Sequence, residues 1–238
     1  MKKKILLLHG WNYRNYTNMT SEKDAWHNRE ELVKRLSQKY EIYKINFPGF
    51  CGEPEPNRTW DLSDFANYVR EYLEKNNLKP DYILGYSFGG AVAIEYNLIF
   101  DNNQKLILIS PAIIRNNDKS RKFIKTPKII EPLRNKIRDI YLIHIIKNNY
   151  MVHGTKFLRD TYQKIVRIEL LEQISQINPD KILIVYGSED TMVNPNYVIN
   201  NIPIEYKKCI KVIQGGGHDI ANTNSKEIVD IIDKITNC

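Results

Sequence analysis

Cysteine is scarce and scattered in this chain: three in 238 residues, at Cys51, Cys209 and Cys238. An odd, dispersed set builds no disulfide framework and no Cys-x-x-Cys metal knuckle, and it points to a reducing compartment. Long apolar runs are missing too. No stretch approaches the ~20 apolar residues that cross a bilayer, so no membrane span is expected. The N-terminal Met1-Lys2-Lys3-Lys4-Ile5-Leu6-Leu7-Leu8 has the charged-then-apolar look of a secretion signal. Its apolar run is only four residues, and His9-Gly10-Trp11-Asn12 follows where a small-residue cleavage site would stand. It reads as a first strand, and the expected location is cytoplasmic. Internal repeats, low-complexity linkers and recognised nucleic-acid motifs are also lacking, so the net charge of +7 carries no nucleic-acid reading.

Glycine is sparse as well, which gives weight to Gly85-Tyr86-Ser87-Phe88-Gly89-Gly90. Random placement of nine serines and 11 glycines yields roughly 0.02 matches to Gly-x-Ser-x-Gly. An apolar run, Tyr82-Ile83-Leu84, precedes the motif, and a helical one, Ala91-Val92-Ala93-Ile94, follows it. A strand feeding this turn and then a helix is the setting of a nucleophile elbow. The glycines let the chain turn sharply and hold Ser87 in a strained conformation, with its hydroxyl projecting beyond the strand.

With 42% hydrophobic residues, the chain has ample material for a core. Short apolar runs alternate with longer amphipathic ones. The pattern predicts strands at 5–9, 41–47, 82–85, 105–110, 181–186 and 209–213. Helices are predicted at 25–36, with Leu32, Val33 and Leu36 on one face, and at 61–75, with Asp61 as N-cap. Further helices are predicted at 88–100 and 222–235. Nearly all-apolar strands separated by helices imply a mostly parallel central sheet flanked by helices, an α/β class. Ligand sites in such sheets lie beyond the carboxyl ends of the strands. Between Pro111 and Pro179 the alternation fails and helical periodicity takes over, as at Leu133, Ile137, Ile140, Tyr141 and His144. The expected organisation is therefore a core of 1–111 and 177–238, with 112–176 as an insertion. The first part, roughly 112–160, would cover the carboxyl edge as a helical cap, and 161–177 would be the helix leading back.

A serine nucleophile needs a base, and the base needs a partner that fixes its tautomer. Of the five histidines, only His218 follows a terminal strand in a glycine-rich turn, Gln214-Gly215-Gly216-Gly217-His218-Asp219. His9 reads as a brace for its loop rather than a base. Asp190, in the turn Gly187-Ser188-Glu189-Asp190, is the candidate acid, with Glu189 its close rival. Asp219 is expected to face solvent or cap the last helix. Two donors must hold a tetrahedral oxyanion. They are expected at the backbone N–H groups of Phe88, after the nucleophile, and Trp11, in the loop after the first strand.

His9-Gly10-Trp11, Phe47-Pro48-Gly49-Phe50, Gly85 to Gly90, Gly187 to Asp190 and Gly217-His218 together resemble the α/β-hydrolase superfamily, in its small single-domain form with a helical cap. The pieces span nearly the whole chain in the family's order. The resemblance implies Ser87 as nucleophile, Asp190 as acid, His218 as base, Trp11 and Phe88 as oxyanion donors, and no metal or organic cofactor. It implies hydrolysis of a carboxylic ester or thioester. Acyl transfer, C–C cleavage and perhydrolysis on the same residues stay open, as does a non-catalytic binding protein on this scaffold. Two departures stand out. The antiparallel strands that often open the fold have no counterpart before His9. The usual Pro-Gly-x-Gly loop is one residue longer, Pro48-Gly49-Phe50-Cys51-Gly52.

Charge is concentrated. From Arg115 to Arg138 nine basic residues face only Asp118 and Glu131, a local net charge of +7. This is either a solvated helix face or a field that recruits an acidic partner, such as an acyl carrier, an anionic ester or an anionic lipid surface. Tyr13, Tyr16, Met19 and Trp26 are either an acyl pocket or ordinary packing.

Overall fold

The computed structural model describes residues 2–100, 104–114 and 141–236. Its centre is a six-stranded sheet, all parallel, formed by β1 (Lys3–Leu8), β2 (Tyr40–Ile45), β3 (Tyr82–Tyr86), β4 (Lys105–Ile109), β5 (Ile182–Gly187) and β6 (Ile210–Ile213) in the order β2-β1-β3-β4-β5-β6. The helices are α1 (Glu30–Lys39), α2 (Leu62–Lys75), α3 (Phe88–Phe100), α4 (Asn149–Val152), α5 (Lys156–Ile165), α6 (Leu171–Ile174), α7 (Pro195–Asn201), α8 (Ile220–Thr223) and α9 (Ser225–Thr236).

Side chains alternate across a strand, and here both faces are apolar. Leu6, Leu8, Ile83, Leu106, Leu108 and Ile184 meet Phe65 and Val69 of α2 and Val92 and Ile94 of α3 in one cluster. Ile5, Leu7, Leu84, Ile107, Ile109 and Val185 meet Leu32 and Leu36 of α1 and Ile228 and Ile232 of α9 in the other. That two-sided burial is why the strands read as continuous apolar runs. The strand order reverses between β1 and β3, the topological switch point where ligands bind in such sheets. Ser87 and the His9–Trp11 loop both leave the sheet there.

The capping expected at Asp61 is present as a full capping box. Its carboxylate accepts from the Asp64 N–H at 3.2 Å, and the Asp64 carboxylate accepts from the Asp61 N–H at 2.9 Å. The Arg58 guanidinium beside Asp64 holds that carboxyl below its usual range.

Three boundaries differ from expectation. Residues 25–36 do not form one helix. Ala25 and Trp26 lie in a buried turn, and the α-helix begins only at Glu30. Residues 161–177 are not one helix either. The α5 helix stops at Ile165, and the Leu170 N–H donates to the Ile113 carbonyl at 2.8 Å, a tertiary bond that no local periodicity signals. The last helix is broken at Asn224 into α8 and α9. The short α7, which opens on Asn194 and Pro195, was not anticipated. The periodicity at Leu133, Ile137 and Ile140, the charged run Arg115–Arg138 and Cys238 fall outside the described residues. Between 112 and 176 the described residues hold helices and turns but no strand.

Candidate active site

Ser87 follows β3 directly and has φ of 51°, the left-handed region that a serine enters only at a cost of about 1–2 kcal/mol. Its backbone is held from both sides. Its N–H donates to the Ile109 carbonyl at 2.9 Å, and its own carbonyl accepts from the Gly90 N–H at 3.0 Å and the Ala112 N–H at 3.0 Å. A Cβ on Gly85 would sit 2.5 Å from the Gly89 carbonyl oxygen, so only glycine lets strand and helix close this tightly.

His218 and Asp190 reach this serine from the ends of two other strands. The His218 Nε2 lies 3.0 Å from Ser87 Oγ, and its Nδ1 lies 2.8 Å from Asp190 Oδ2. The Asp190 side chain is fully buried, and its Oδ1 accepts from the N–H groups of Met192 and Val193, each at 2.9 Å. Glu189, the rival acid, is exposed. Its contribution is its backbone N–H, which donates to the Gly216 carbonyl at 2.8 Å. The two loops touch at Gly187, where a Cβ would lie 2.2 Å from the Gly216 oxygen. Asp219 neither caps α8 through its side chain nor simply faces water. It accepts from Arg29 at 2.8 Å.

The first-strand loop is organised around His9, which is buried. Its Nε2 accepts from the Phe47 N–H at 3.0 Å, which leaves the proton on Nδ1 to donate to the Gly10 carbonyl at 2.8 Å. His9 is thus a brace, as its sequence context suggests. Burial pushes its pKa down to about 4, against about 6.5 in an unfolded chain. Between those values the unfolded chain binds one proton more than the folded one, so stability falls as pH falls through that window. Wild type should lose about 2 kcal/mol more than His9→Asn on going from about pH 7.5 to about pH 5. Urea unfolding of both proteins at the two pH values checks this. Equal losses would show that His9 is not held neutral.

After His9, Gly10 lets the chain pass Tyr86: a Cβ there would lie 2.8 Å from the Tyr86 ring. The Trp11 indole packs edge-on against Phe88, ring centroids 5.1 Å apart, and donates to the Tyr16 hydroxyl at 2.7 Å. Trp11, Phe88, Ser87 and His218 line one cavity of about 140 Å³. The rest of its wall is mostly apolar: Leu62, Ala91, Ala112, Tyr150, Tyr162, Ile165, Val166 and Ile168. Tyr13, Tyr16, Met19 and Trp26 are not part of it. Tyr16 and Trp26 are core residues, Met19 is exposed, and Tyr13 stacks on His153. Their distance from Ser87 depends on the path of the 11–26 loop, which composition does not encode. The wall residues missed in the sequence come chiefly from α5 and the turn after it. The sequence places these residues in the expected helix 161–177, but nothing local says which way its apolar face turns. Cys51 is buried away from the cavity, and burial raises its pKa to about 11. Among the described residues no cluster of His, Cys, Asp or Glu could hold a metal ion, and no helix is long and apolar enough to cross a membrane.

Known proteins carry the same frame. The family model described as the alpha/beta hydrolase family matches residues 5–231. A proline iminopeptidase of Flavobacterium johnsoniae is 30% identical over 115 residues, 46% of this chain but only 35% of that protein. A Mycoplasma genitalium protein named as an esterase/lipase is 22% identical over 219 residues, 82% of this chain and 78% of its own. Among solved structures, a meta-cleavage product hydrolase from Pseudomonas fluorescens IP01 superposes with a TM-score of 0.65 at 16% identity, covering 99% of this chain and 90% of that one.

Proposed function

The chain belongs to the alpha/beta hydrolase family, and from that premise we propose that it is a serine hydrolase cleaving a carboxylic ester or thioester. One observation carries the reading: His218 bridges Ser87 Oγ at 3.0 Å and a fully buried carboxylate, Asp190, at 2.8 Å. A hydroxyl, a base and an orienting acid in that order are what a serine nucleophile requires.

In this reading Ser87 Oγ adds to the acyl carbon while His218 Nε2 takes its proton. The carbonyl electron pair moves onto oxygen, where the N–H groups of Trp11 and Phe88 receive it. Collapse expels the alkoxide or thiolate, which takes the proton from His218. Water, deprotonated by His218, then adds to the acyl-enzyme and releases the carboxylic acid and Ser87. Asp190 keeps the imidazole proton on Nδ1 and stabilises the imidazolium. Residues 112–176 would act as a cap, which the cavity-lining positions of Tyr162, Ile165 and Val166 support. The charge of Arg115–Arg138 supports an anionic ester or an acidic acyl carrier as substrate.

The likeness to a proline iminopeptidase raises an aminopeptidase alternative. An aminopeptidase needs a carboxylate to hold the substrate ammonium. The described lining of the cavity contains no Asp or Glu, which favours the ester. Acyl transfer, C–C hydrolysis and perhydrolysis share the three residues and differ in acceptor or bond, so product analysis separates them.

The test is kcat/KM for p-nitrophenyl esters of graded chain length, at low and high salt, together with labelling by a fluorophosphonate mapped to its residue. Each CH₂ entering an apolar cavity contributes about 0.8 kcal/mol, so kcat/KM should rise about fourfold per carbon, peak at short chains and then fall. The label should map to Ser87. KM for an anionic ester should climb with salt if the basic run recruits it. A folded wild type with neither turnover nor label would instead be a binding protein on this scaffold.

A further inference from the structure

We propose that Arg29 and Asp219 form a positioning clamp that holds the base-bearing loop onto the nucleophile strand. The inference rests on the serine hydrolase reading for its catalytic consequence, but its structural half stands independently.

Arg29 comes from a single 3₁₀ turn, His27–Arg29, at the entrance to α1. It is a buried arginine, 7% exposed, on the wall of the Ser87 cavity. One guanidinium nitrogen meets Asp219 Oδ1 at 2.8 Å, and Asp219 is the residue after His218. The guanidinium carbon lies 4.3 Å from the Tyr86 ring centroid, and Tyr86 is the residue before Ser87. The Tyr86 ring in turn lies 5.8 Å from the His218 ring. The Arg29 Nε is buried without a hydrogen-bond partner. A guanidinium laid over an aromatic face gains attraction from the ring, which accounts for a planar cation left short of one bond.

The need for such a clamp is written in the loop. Gly215-Gly216-Gly217 precede His218 directly, and glycine carries more conformational freedom than any other residue. Gly215 is tied by its N–H to Ser188 Oγ at 2.9 Å, and Gly216 by its carbonyl to Glu189. Beyond them a Cβ on Gly217 would meet nothing within 4 Å, so that stretch is loosely surrounded. The Arg29–Asp219 pair closes the loop from the other side, across 190 positions of sequence. An exposed ion pair would contribute little. This one has a buried cation, and its carboxylate is 44% exposed, so the two partners are not equivalent. Asp219 can be removed from the solvent side with less disturbance of packing than Arg29.

The experiment compares wild type with Arg29→Gln, Arg29→Lys, Asp219→Ala and the double variant Arg29→Gln/Asp219→Ala. Three readouts are taken: thermal unfolding, backbone hydrogen exchange across 214–219, and the second-order rate of fluorophosphonate labelling of Ser87. The expected result is faster exchange in 214–219, on the order of 10-fold, with exchange in the sheet unchanged. Labelling and kcat should fall on the order of 10-fold to 100-fold per folded molecule, since a misplacement of about 1 Å has that cost, while KM holds. Arg29→Lys should recover part of the loss, and the double variant should be no slower than the worse single one. Should Arg29→Gln fail to fold, Asp219→Ala still decides. Unchanged exchange in 214–219 for Asp219→Ala overturns the clamp, whether or not Ser87 reacts. Faster exchange with unchanged labelling reduces the pair to a structural tie and overturns its positioning role. A wild type that takes no label refutes the serine hydrolase reading, and with it the catalytic half of the clamp.

Discussion

Ser87→Ala should abolish measurable turnover, a loss of about 10⁶ in kcat, and Asp190→Asn should lose about 10³–10⁴ while folding normally. The two losses differ because the side chains act at different removes. Ser87 Oγ is the only atom that would bond to substrate, so its loss leaves nothing for His218 to deprotonate except water. Asp190 would act through geometry that is already visible. Its Oδ1 accepts from two backbone N–H groups at 2.9 Å, and its Oδ2 faces His218 Nδ1 at 2.8 Å. Asparagine can keep the first role with its single carbonyl oxygen, so the turn at 190–193 survives and the fold with it. That choice points the amide NH₂, a donor, at His218 Nδ1. The imidazole must then place its own proton on Nε2, where it can no longer accept from Ser87. The enzyme would hold the wrong tautomer with all heavy atoms in place. Glu189→Gln, at an exposed side chain one residue away, should leave kcat within about twofold, because a surface substitution of this kind changes little. Steady-state kinetics with circular dichroism on the same samples checks all three. A near-normal Asp190→Asn beside a crippled Glu189→Gln would move the role of the acid to Glu189.

How much of this was legible in the sequence follows from which interactions are local. The strand-turn-helix around Ser87 could be read directly, since Gly85, Gly89 and the switch of apolar period from strand to helix all lie within ten residues. The N-cap at Asp61 could be read for the same reason, though the reciprocal bond from Asp64 that completes the capping box comes from the structure. The sheet followed from its two-sided apolar strands, but its order is set by long-range pairing that no local pattern carries, and no order is read from the sequence. The sequence puts Asp190 ahead of Glu189 but keeps Glu189 as a close rival. What separates them is the burial of one and exposure of the other, set by a turn that folds against Gly216. Arg29 carried no signal at all. It reads as one more charge ahead of a helix, and its neighbours Tyr86 and Asp219 are 57 and 190 positions away. The sequence leaves Tyr13, Tyr16, Met19 and Trp26 open between an acyl pocket and ordinary packing, because nearness in sequence to Trp11 does not fix nearness to Ser87; the structure places none of them on the cavity wall. Part of the wall comes instead from Tyr162, Ile165 and Val166, more than 70 positions beyond the serine.

Gly89→Ala should destabilise the protein by at least about 3–5 kcal/mol, the range reserved for strong overpacking or buried disruption. Helix propensity alone gives the opposite sign, because Gly89 lies in the first turn of α3 and alanine is favoured over glycine in a helix by about 1 kcal/mol. Contact geometry decides between the two. A Cβ on Gly89 would lie 2.1 Å from the Leu8 carbonyl oxygen, 2.5 Å from its carbon and 2.7 Å from the His9 oxygen. These are backbone atoms of the end of β1, which is paired on both sides, to β2 and to β3. No rotamer change can clear them, so either α3 lifts off the sheet or β1 shifts in a close-packed interior. Either movement also separates the Phe88 N–H, at the start of α3, from the Trp11 N–H, just beyond β1, so activity should fall further than the folded fraction does. Gly217→Ala is the control. Its Cβ would meet nothing within 4 Å and its φ is unstrained, so it should stay within about 0.5 kcal/mol of wild type. Gly215→Ala falls between: its site is open, but φ of 71° costs a residue with a Cβ about 1–2 kcal/mol. Denaturant unfolding of the three variants should therefore give a graded series, Gly89 worst and Gly217 least. A Gly89→Ala protein as stable as wild type would mean that α3 does not approach β1 this closely, and that the two N–H groups are not set by it.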